Sequence, residues 1–120
     1  MSPADGGAGR VHVFRIDHAY LFKRYFGENA LFEALSGYYD DQEYRFEVPE
    51  REWGEVAAAL REHGYEPEVV EAVADFVVVK EQYTSHAAIL QNSVEHWTRR
   101  GYTFFLMKDA VSVERAVREH

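Results

Sequence analysis

Hydrophobic and polar positions along the chain repeat with two different periods, one typical of strands and one typical of helices. Residues 43–49 alternate, with Tyr44, Phe46 and Val48 on one side and mostly charged residues on the other. A period of two is the pattern of a strand with one buried face, and Pro49 is suited to end it. A half-buried strand is therefore predicted here.

Residues 50–64 have the period of a helix. Trp53, Val56 and Leu60 are separated by three or four positions, as are the residues of one buried helical stripe. Two glutamates occupy the first turn, where the helix dipole favours acids, and Gly64 is a typical C-terminal stop. The sequence therefore predicts an amphipathic helix with one face in the core.

The remaining elements are predicted by the same criteria. The predicted strands are residues 10–16, 65–73, 75–82 and 102–109, and the predicted helices are residues 84–101 and 110–120.

Residues 43–109 then have the order strand–helix–strand–strand–helix–strand. This is the order of the ferredoxin-like split βαβ fold (βαββαβ), an antiparallel sheet with two helices on one face. The predicted class is α+β, with an N-terminal strand, an aromatic helical region and a C-terminal helix added to the ferredoxin-like part.

The aromatic helical region is predicted over residues 17–38. Asp17 is suited to cap a helix, because its carboxylate can accept hydrogen bonds from backbone N–H groups in the next turn. Ile16 and Leu21 stand at the positions of a hydrophobic staple around that cap. The helical pattern weakens at Gly27 and then resumes. One helix with a weak point and two short helices are both compatible with this pattern.

Length and composition predict one soluble domain. The chain has 120 residues, of which 47% are hydrophobic and 28% charged, as in ordinary globular proteins. Residues 1–9 are small and glycine-rich and are predicted to be a disordered tail, so the domain covers residues 10–120. No apolar run approaches the ~18 residues of a membrane span, and the N-terminus lacks the plan of a signal peptide. We therefore expect a cytoplasmic protein without a membrane partner.

Several kinds of chemistry are disfavoured by what the sequence contains. It has no cysteine, which excludes disulfides, thiolate nucleophiles and thiolate metal sites. A formal net charge of −8 opposes binding to phosphate backbones. No phosphate-binding glycine loop, nucleophile elbow or H-E-x-x-H motif occurs. We therefore predict no nucleic-acid partner, no metal and no cofactor.

The first part of the chain is rich in aromatic side chains. Ten of the 18 Phe, Tyr and Trp residues lie between Phe14 and Phe46. On a helix they would span more than one face, and a wide apolar arc needs two packing partners. Packing in the core, an interface between subunits and the wall of a small-molecule pocket are three open interpretations. The residues predicted to form the binding or interface surface are Tyr20, Phe22, Tyr25, Phe26 and Phe32.

The candidate catalytic residues are Asp17, His18 and His86. An aspartate can orient an imidazole and raise its basicity, but neighbours at the start of a helix do not face each other. His86 falls in the apolar arc of the predicted helix over residues 84–101. A buried imidazole there must be neutral or hydrogen-bonded, so a structural role competes with a role in a pocket.

Two functional hypotheses follow. The first is a non-enzymatic α+β module that forms a homo-oligomer through aromatic surface and serves a binding or regulatory role. The second is a small enzyme or ligand carrier with an aromatic-lined pocket between the helical region and the sheet, to which His18, His86, Tyr25 and Asp17 contribute polar groups. The lack of reactive motifs and the aromatic excess favour the first, and an enzyme is the less favoured expectation.

Overall fold

The structure is a computed structural model that describes residues 9–27, 29–81 and 87–118. His86 and residues 1–8 of the predicted tail lie outside the described residues.

The chain contains two compact units, residues 1–70 and residues 71–120. Each unit has its own sheet, and helices accompany both sheets. The predicted α+β class is therefore confirmed, while a single domain over residues 10–120 stays a prediction.

The strands and helices have the following bounds. The strands are β1 (Arg10–Ile16), β2 (Ala19–Phe22), β3 (Tyr39–Asp40), β4 (Arg45–Pro49), β5 (Glu66–Val69), β6 (Val77–Glu81), β7 (Ser93–Arg99) and β8 (Tyr102–Met107). The α-helices are α1 (Asn29–Leu35), α2 (Trp53–Glu62), α3 (Ala87–Gln91) and α4 (Ala110–Arg118), and short 3-10 turns cover Ser36–Tyr38, Glu50–Glu52 and Val73–Phe76.

The first unit is built on a five-stranded sheet with the order β3-β4-β2-β1-β5. β1 and β5 pair in parallel, and the other pairs are antiparallel. β4 and β5 therefore run in the same direction, with β2 and β1 between them. A parallel connection needs a crossover, which α2 provides. Val56, Ala57 and Leu60 of this helix are buried, which confirms the predicted stripe.

A hairpin joins β1 to β2, with Asp17 and His18 as its turn residues. Ile16 pairs with Ala19, and the φ angles of the turn residues are 51° and 67°. Positive φ at both central positions is the signature of a type I′ turn, whose twist matches that of the flanking strands. The predicted helix over residues 17–26 is therefore wrong, and Asp17 is not a helix cap. The short Asp side chain suits turns as well as caps, and the neighbouring strands decide between the two.

Replacing His18 by Gly is expected to stabilise the protein by about 1 kcal/mol. A residue with a Cβ atom in the left-handed region costs roughly 1–2 kcal/mol, which glycine avoids, although its freer unfolded chain offsets part of the gain. Urea denaturation measures the difference. His18→Ala is the control, because it removes the imidazole and keeps the Cβ atom. If both variants had the same stability, backbone strain at this turn would not be the cause.

The core of the first unit lies between its sheet and its helices. Phe22 and Phe46 stack with their ring centroids 4.9 Å apart, and Phe26 approaches Phe46 at 5.8 Å. The buried members of this core are Val11, Val13, Phe22, Phe26, Leu31, Leu35, Phe46, Val48, Val56 and Leu60. The aromatic segment after β1 therefore supplies packing to this core.

The second unit contains a three-stranded antiparallel sheet with the order β6-β8-β7. Alternate side chains of each strand point to opposite faces. Val78, Phe105 and Met107 on one face form a core with Ile89 of α3 and Ala116 of α4. The strand predicted at residues 102–109 and the C-terminal helix are confirmed by β8 and α4.

The second half of the helix predicted over residues 84–101 is a strand, β7. Arg100 and Gly101, with φ angles of 56° and 84°, form a tight turn that returns the chain onto β8. The apolar residues before this turn also fit a helical spacing, which is why the sequence pattern is ambiguous. Pairing of β7 with β8, interrupted by a register shift between Ser93 and Glu95, supplies hydrogen bonds that the local pattern does not reveal.

The ferredoxin-like order predicted for residues 43–109 is not the order of these strands. β4 and β5 belong to the sheet of the first unit, and β6, β7 and β8 form the sheet of the second. The physical reason is that β5 pairs with β1 at the N-terminus. The predicted order treats that N-terminal strand as an addition outside the main sheet.

Candidate functional site

The aromatic residues of the predicted interface divide between core and surface. Phe22 and Phe26 are buried, and Tyr20 is half-buried with its ring stacked on the indole of α2 at 4.6 Å. Tyr25 is 88% exposed and Phe32 is 42% exposed. Tyr20 and Phe22 point to the same face of β2, toward the indole of Trp53, whereas Tyr25 follows the end of this strand.

The two described catalytic candidates, Asp17 and His18, form the tip of the β1–β2 hairpin and are both exposed. His18 Nδ1 lies 3.4 Å from Glu50 Oε1, and Arg15 donates a hydrogen bond to Glu50 Oε2. The backbone N–H of Glu50 also donates to the carbonyl oxygen of His18 at 3.0 Å. Glu50 therefore connects the hairpin tip to the end of β4 through these contacts, and the arrangement is typical of a structural link at the protein surface.

Glu50 is expected to make stability depend on pH in the acid range. The hydrogen bond from Arg15 is the main cause that lowers the pKa of the Glu50 carboxyl below its ordinary value of 4.5, and the His18 contact acts in the same direction. A lowered folded-state pKa gives stability that is present above the ordinary pKa and is lost as the pH falls through the folded-state value.

Replacing Glu50 by Gln should therefore lower the free energy of unfolding at pH 7. The difference from wild type should shrink as the pH falls below the ordinary carboxyl pKa and through the lowered folded-state pKa, because the charged form that Arg15 stabilises is then lost. Urea denaturation of both proteins at several pH values measures this. Glu47→Gln is a matched control, because Glu47 is an exposed carboxylate whose arginine partner, Arg45, lies on the same strand and ties no second element to it. A stability difference that stays constant from pH 7 to pH 3 would contradict this account.

A shallow groove of about 600 Å³ opens to solvent in the first unit. Its lining includes His18, Tyr38, Tyr39, Asp40 and Glu47. Several of these polar groups are engaged within the protein. The Tyr38 hydroxyl donates to a carboxylate of the neighbouring 3-10 turn at 2.8 Å, which raises the pKa of that phenol. Asp40 Oδ1 accepts two backbone N–H groups of its own turn, which lower the pKa of the carboxyl.

This groove differs from the aromatic-lined pocket that the sequence predicts. Phe22 and Phe26, which were candidates for the wall of that pocket, are in the core of the first unit.

The second unit exposes an apolar surface on the sheet face opposite its core. Val79, Phe104 and Trp97 pair side by side across β6, β8 and β7, so they form one row on this face. The Trp97 and Phe104 rings stack at 5.5 Å with 5° between their planes. Val79 is 48% exposed and Trp97 43% exposed, and Tyr102, in the next row of the same face, is 48% exposed. We name these four residues the aromatic face.

Charged residues flank the aromatic face on both edge strands. Glu81 on β6, Tyr102 on β8 and Arg99 on β7 form the row beside Val79, Phe104 and Trp97. This row is acidic at one edge of the sheet and basic at the other. The row on the other side of the aromatic face has Glu95 at the β7 edge and Leu106, which is 1% exposed, at its centre. Contiguous exposed apolar side chains with a charged border are typical of an interaction site.

Sequence reasoning missed the aromatic face because it predicts residues 93–99 as helix. On that helix Trp97 belongs to a buried arc with Ile89 and Val94. Two features of the sequence could have revealed the strand. Val94, Trp97 and Thr98 are residue types that favour strands, and an Arg-Gly pair before a second β-rich segment is a hairpin signal.

The described residues contain neither a cluster of metal-ligating side chains nor a helix that could span a membrane. Residues 9–27, 29–81 and 87–118 contain no group of three or more His, Asp or Glu side chains placed to hold a metal ion. In the same ranges, no helix has the length and the apolar composition needed to cross a bilayer.

Comparison with known proteins gives no relative: no protein-family model, no curated protein and no solved structure matches this chain.

Proposed function

We propose that this protein is a non-enzymatic binding module that self-associates, and that a second copy of the chain docks on the aromatic face. The observation that carries the proposal is the row of Val79, Phe104 and Trp97, which leaves a stacked indole and phenyl ring in contact with solvent. Burying such rings is among the largest favourable contributions to association, and Trp and Tyr are enriched at the centres of interfaces.

The border of the aromatic face supports a second copy as the occupant. This border carries both signs of charge, with Glu81 on β6 and with Arg99 and Glu95 on β7, so two copies can place an acid opposite a base after a twofold rotation. An occupant with one sign of charge along its length would meet a like charge at one of the two edges. A net charge of −8 further disfavours a strongly acidic occupant such as a nucleic-acid strand.

The size of the face sets the expected strength of association. The open part of the face is formed by two rows across three strands, because Leu106 in the next row is 1% exposed. This area is small beside the roughly 800 Å² that each partner buries in a standard interface. We therefore expect a weak, reversible dimer. An association of this strength suits a regulatory role, because the monomer–dimer balance then responds to protein concentration.

A small-molecule carrier is the alternative, and the groove of the first unit supports it less well. The groove is open and polar, and Tyr38 and Asp40 in its lining already hydrogen-bond within the protein. Binding sites for small molecules are usually enclosed and mostly apolar. The aromatic face has the composition of a docking surface, and the groove lacks the enclosure of a pocket.

Sedimentation velocity from about 1 μM to about 1 mM, the range in which a weak dimer dissociates, tests the proposal. Wild type should shift from monomer to dimer across this range. The double variant Val79→Thr/Trp97→Thr keeps strand-forming residues but removes apolar surface, and its dissociation constant should rise at least about tenfold.

Tyr25→Ser is the matched control, because Tyr25 is an exposed aromatic residue of the first unit that belongs to the interface predicted from sequence. It should dimerise like wild type. A wild-type protein that stays monomeric throughout would overturn the proposal. A loss of dimer in Tyr25→Ser but not in the double variant would move the interface to the first unit and overturn it as well.

A further inference from the structure

We propose that the second copy pairs with the outer edge of β7, antiparallel and centred on Trp97, so that the three-stranded sheets of the two copies join into one. This inference rests on the proposed self-association and specifies which strand and which register bring the two copies together.

The outer half of β7 is accessible from both faces of its sheet. β7 is an edge strand, since it pairs with β8 alone among the described strands. Residues 96–99 are all exposed, although successive side chains of a strand point to opposite faces. A strand of this kind can accept another strand at its edge. A copy that lies beside the sheet, and not over it, is not obstructed by the chain that covers Leu106.

The tight turn after β7 fixes which backbone groups of the strand face outward. A two-residue hairpin turn closes with a hydrogen-bonded pair, here Arg99 and Tyr102, and every second residue of the ladder repeats this bonding. His96 and Thr98 therefore direct their N–H and C=O groups away from β8. The His96 N–H donates to the Glu95 carboxylate, at 3.0 Å. A second strand along this edge thus meets hydrogen-bonding groups at both residues.

The length of the regular edge sets the register. The pairing of β7 is regular from Glu95 to Arg99, because a register shift precedes Glu95 and the tight turn follows Arg99. Two copies of this segment pair along their whole length only when its central residue, Trp97, lies on the twofold axis. That axis is perpendicular to the sheet, so the aromatic faces of the two copies lie on the same side.

The side chains on the aromatic face match in this register. Trp97 meets Trp97 of the second copy, and Arg99 of each copy meets Glu95 of the other. These positions form the pairs without hydrogen bonds, in which Cα atoms are about 4.5 Å apart and aromatic or opposite-charge pairs are in closest contact. A shift by two residues would place Trp97 opposite Arg99 or opposite Glu95, and would remove both opposite-charge contacts.

Pairing replaces a hydrogen bond that the monomer already has. The His96 N–H changes its acceptor from the Glu95 carboxylate to the C=O of Thr98 in the second copy, and the Glu95 carboxylate then lies opposite Arg99. Because the monomer satisfies this donor by itself, the net gain from the new backbone bond is small. The exchange therefore agrees with a weak, reversible dimer.

Disulfide capture tests the register, because the chain has no cysteine of its own. An equal mixture of Glu95→Cys and Arg99→Cys is oxidised at a concentration at which wild type dimerises, and mass spectrometry measures the covalent dimers. Edge pairing places position 95 of one variant about 4.5 Å from position 99 of the other, within the range of a disulfide. Like positions lie about 14 Å apart along the strands, which is too far.

The mixed dimer should therefore exceed the sum of the two like dimers at least about fivefold. Random collisions would give mixed and like dimers in equal total amounts. The retained Glu95 and Arg99 still meet at the other end of the mixed dimer, so each variant needs only to fold as a monomer, which circular dichroism verifies.

Thr98→Pro gives a second readout that needs no cysteine. Proline lacks the N–H, and an edge strand tolerates its ring on the outward side. In sedimentation velocity its dimerisation should weaken at least about tenfold. Thr98→Val is the matched control, because it keeps the N–H and favours strands, and it should dimerise within about threefold of wild type. Equal dimerisation of the two folded variants would overturn the inferred pairing.

Stacking of the two sheet faces predicts a different result from disulfide capture. Even where stacking sets Glu95 opposite Arg99, the sheets are roughly 10 Å apart, beyond the limit of about 7 Å between the Cα atoms of a disulfide. Mixed and like dimers in equal amounts would overturn edge pairing, while a wild-type dimer would still uphold the proposed function. A wild type that never dimerises would overturn both.

Discussion

Replacing Phe22 by Ala is expected to lower the free energy of unfolding by about 3–5 kcal/mol, the usual cost of truncating a buried phenyl ring. Phe22 has no exposed surface and stacks on Phe46 at 4.9 Å. Its ring also meets Phe26 at 6.5 Å and Trp53 at 6.3 Å in edge-to-face contacts. The variant therefore leaves a cavity where the sheet and α2 of the first unit meet, and three aromatic neighbours lose a partner.

Tyr25→Ala is the control for this variant, because Tyr25 belongs to the same aromatic segment and is 88% exposed. Its effect should stay within about 0.5 kcal/mol, as for most surface substitutions. Urea denaturation in a Trp97→Phe background makes Trp53 the reporter of the first unit. Equal losses in the two variants would contradict the division of this segment into core and surface residues.

The first unit shows which parts of a fold the sequence pattern predicts well. The pattern predicts β4 and α2 because Phe46 and Val48 alternate and because Val56 and Leu60 repeat at helical spacing, and both signals need only local information. It does not predict the hairpin at Asp17, since an aspartate before an aromatic segment suits a cap and a turn equally. That hairpin depends on pairing of β2 with β1 and β4, which lie on either side of it in the sheet.

The candidate site shows the same limit in the second unit. The aromatic excess between Phe14 and Phe46 draws attention to the first unit, where burial in the core accounts for Phe22 and Phe26. The stacked pair, exposed Trp97 and half-buried Phe104, comes from two segments, and the pattern predicts one of them as helix. On the predicted helix Trp97 would face a core, whereas on the strand it faces solvent. Predicting a helical period of 3.6 residues instead of a strand period of two therefore hides the aromatic face.

Replacing Phe105 by Ala is expected to unfold the second unit. Phe105 is buried against the core that Ile89 and Ala116 complete, and its truncation should cost about 3–5 kcal/mol. At roughly 0.05–0.15 kcal/mol per residue, residues 71–120 contribute only about 3–7 kcal/mol. The expected loss is therefore comparable with the whole free energy of unfolding of this unit. Urea denaturation in a Trp53→Phe background, with Trp97 as the reporter, measures it.

Phe104→Thr is the informative comparison, because Phe104 is adjacent in sequence and points to the opposite face of β8. Phe104 is half-buried and stacked on Trp97, so its replacement by a strand-forming residue should cost only about 1–2 kcal/mol and leave the unit folded. It removes the central ring of the aromatic face, so dimerisation should weaken at least about tenfold. Phe105→Ala thus tests the stability of the second unit, and Phe104→Thr tests its association. If Phe104→Thr unfolded the unit as Phe105→Ala does, or if it dimerised like wild type, the aromatic face would belong to the fold and not to an interface.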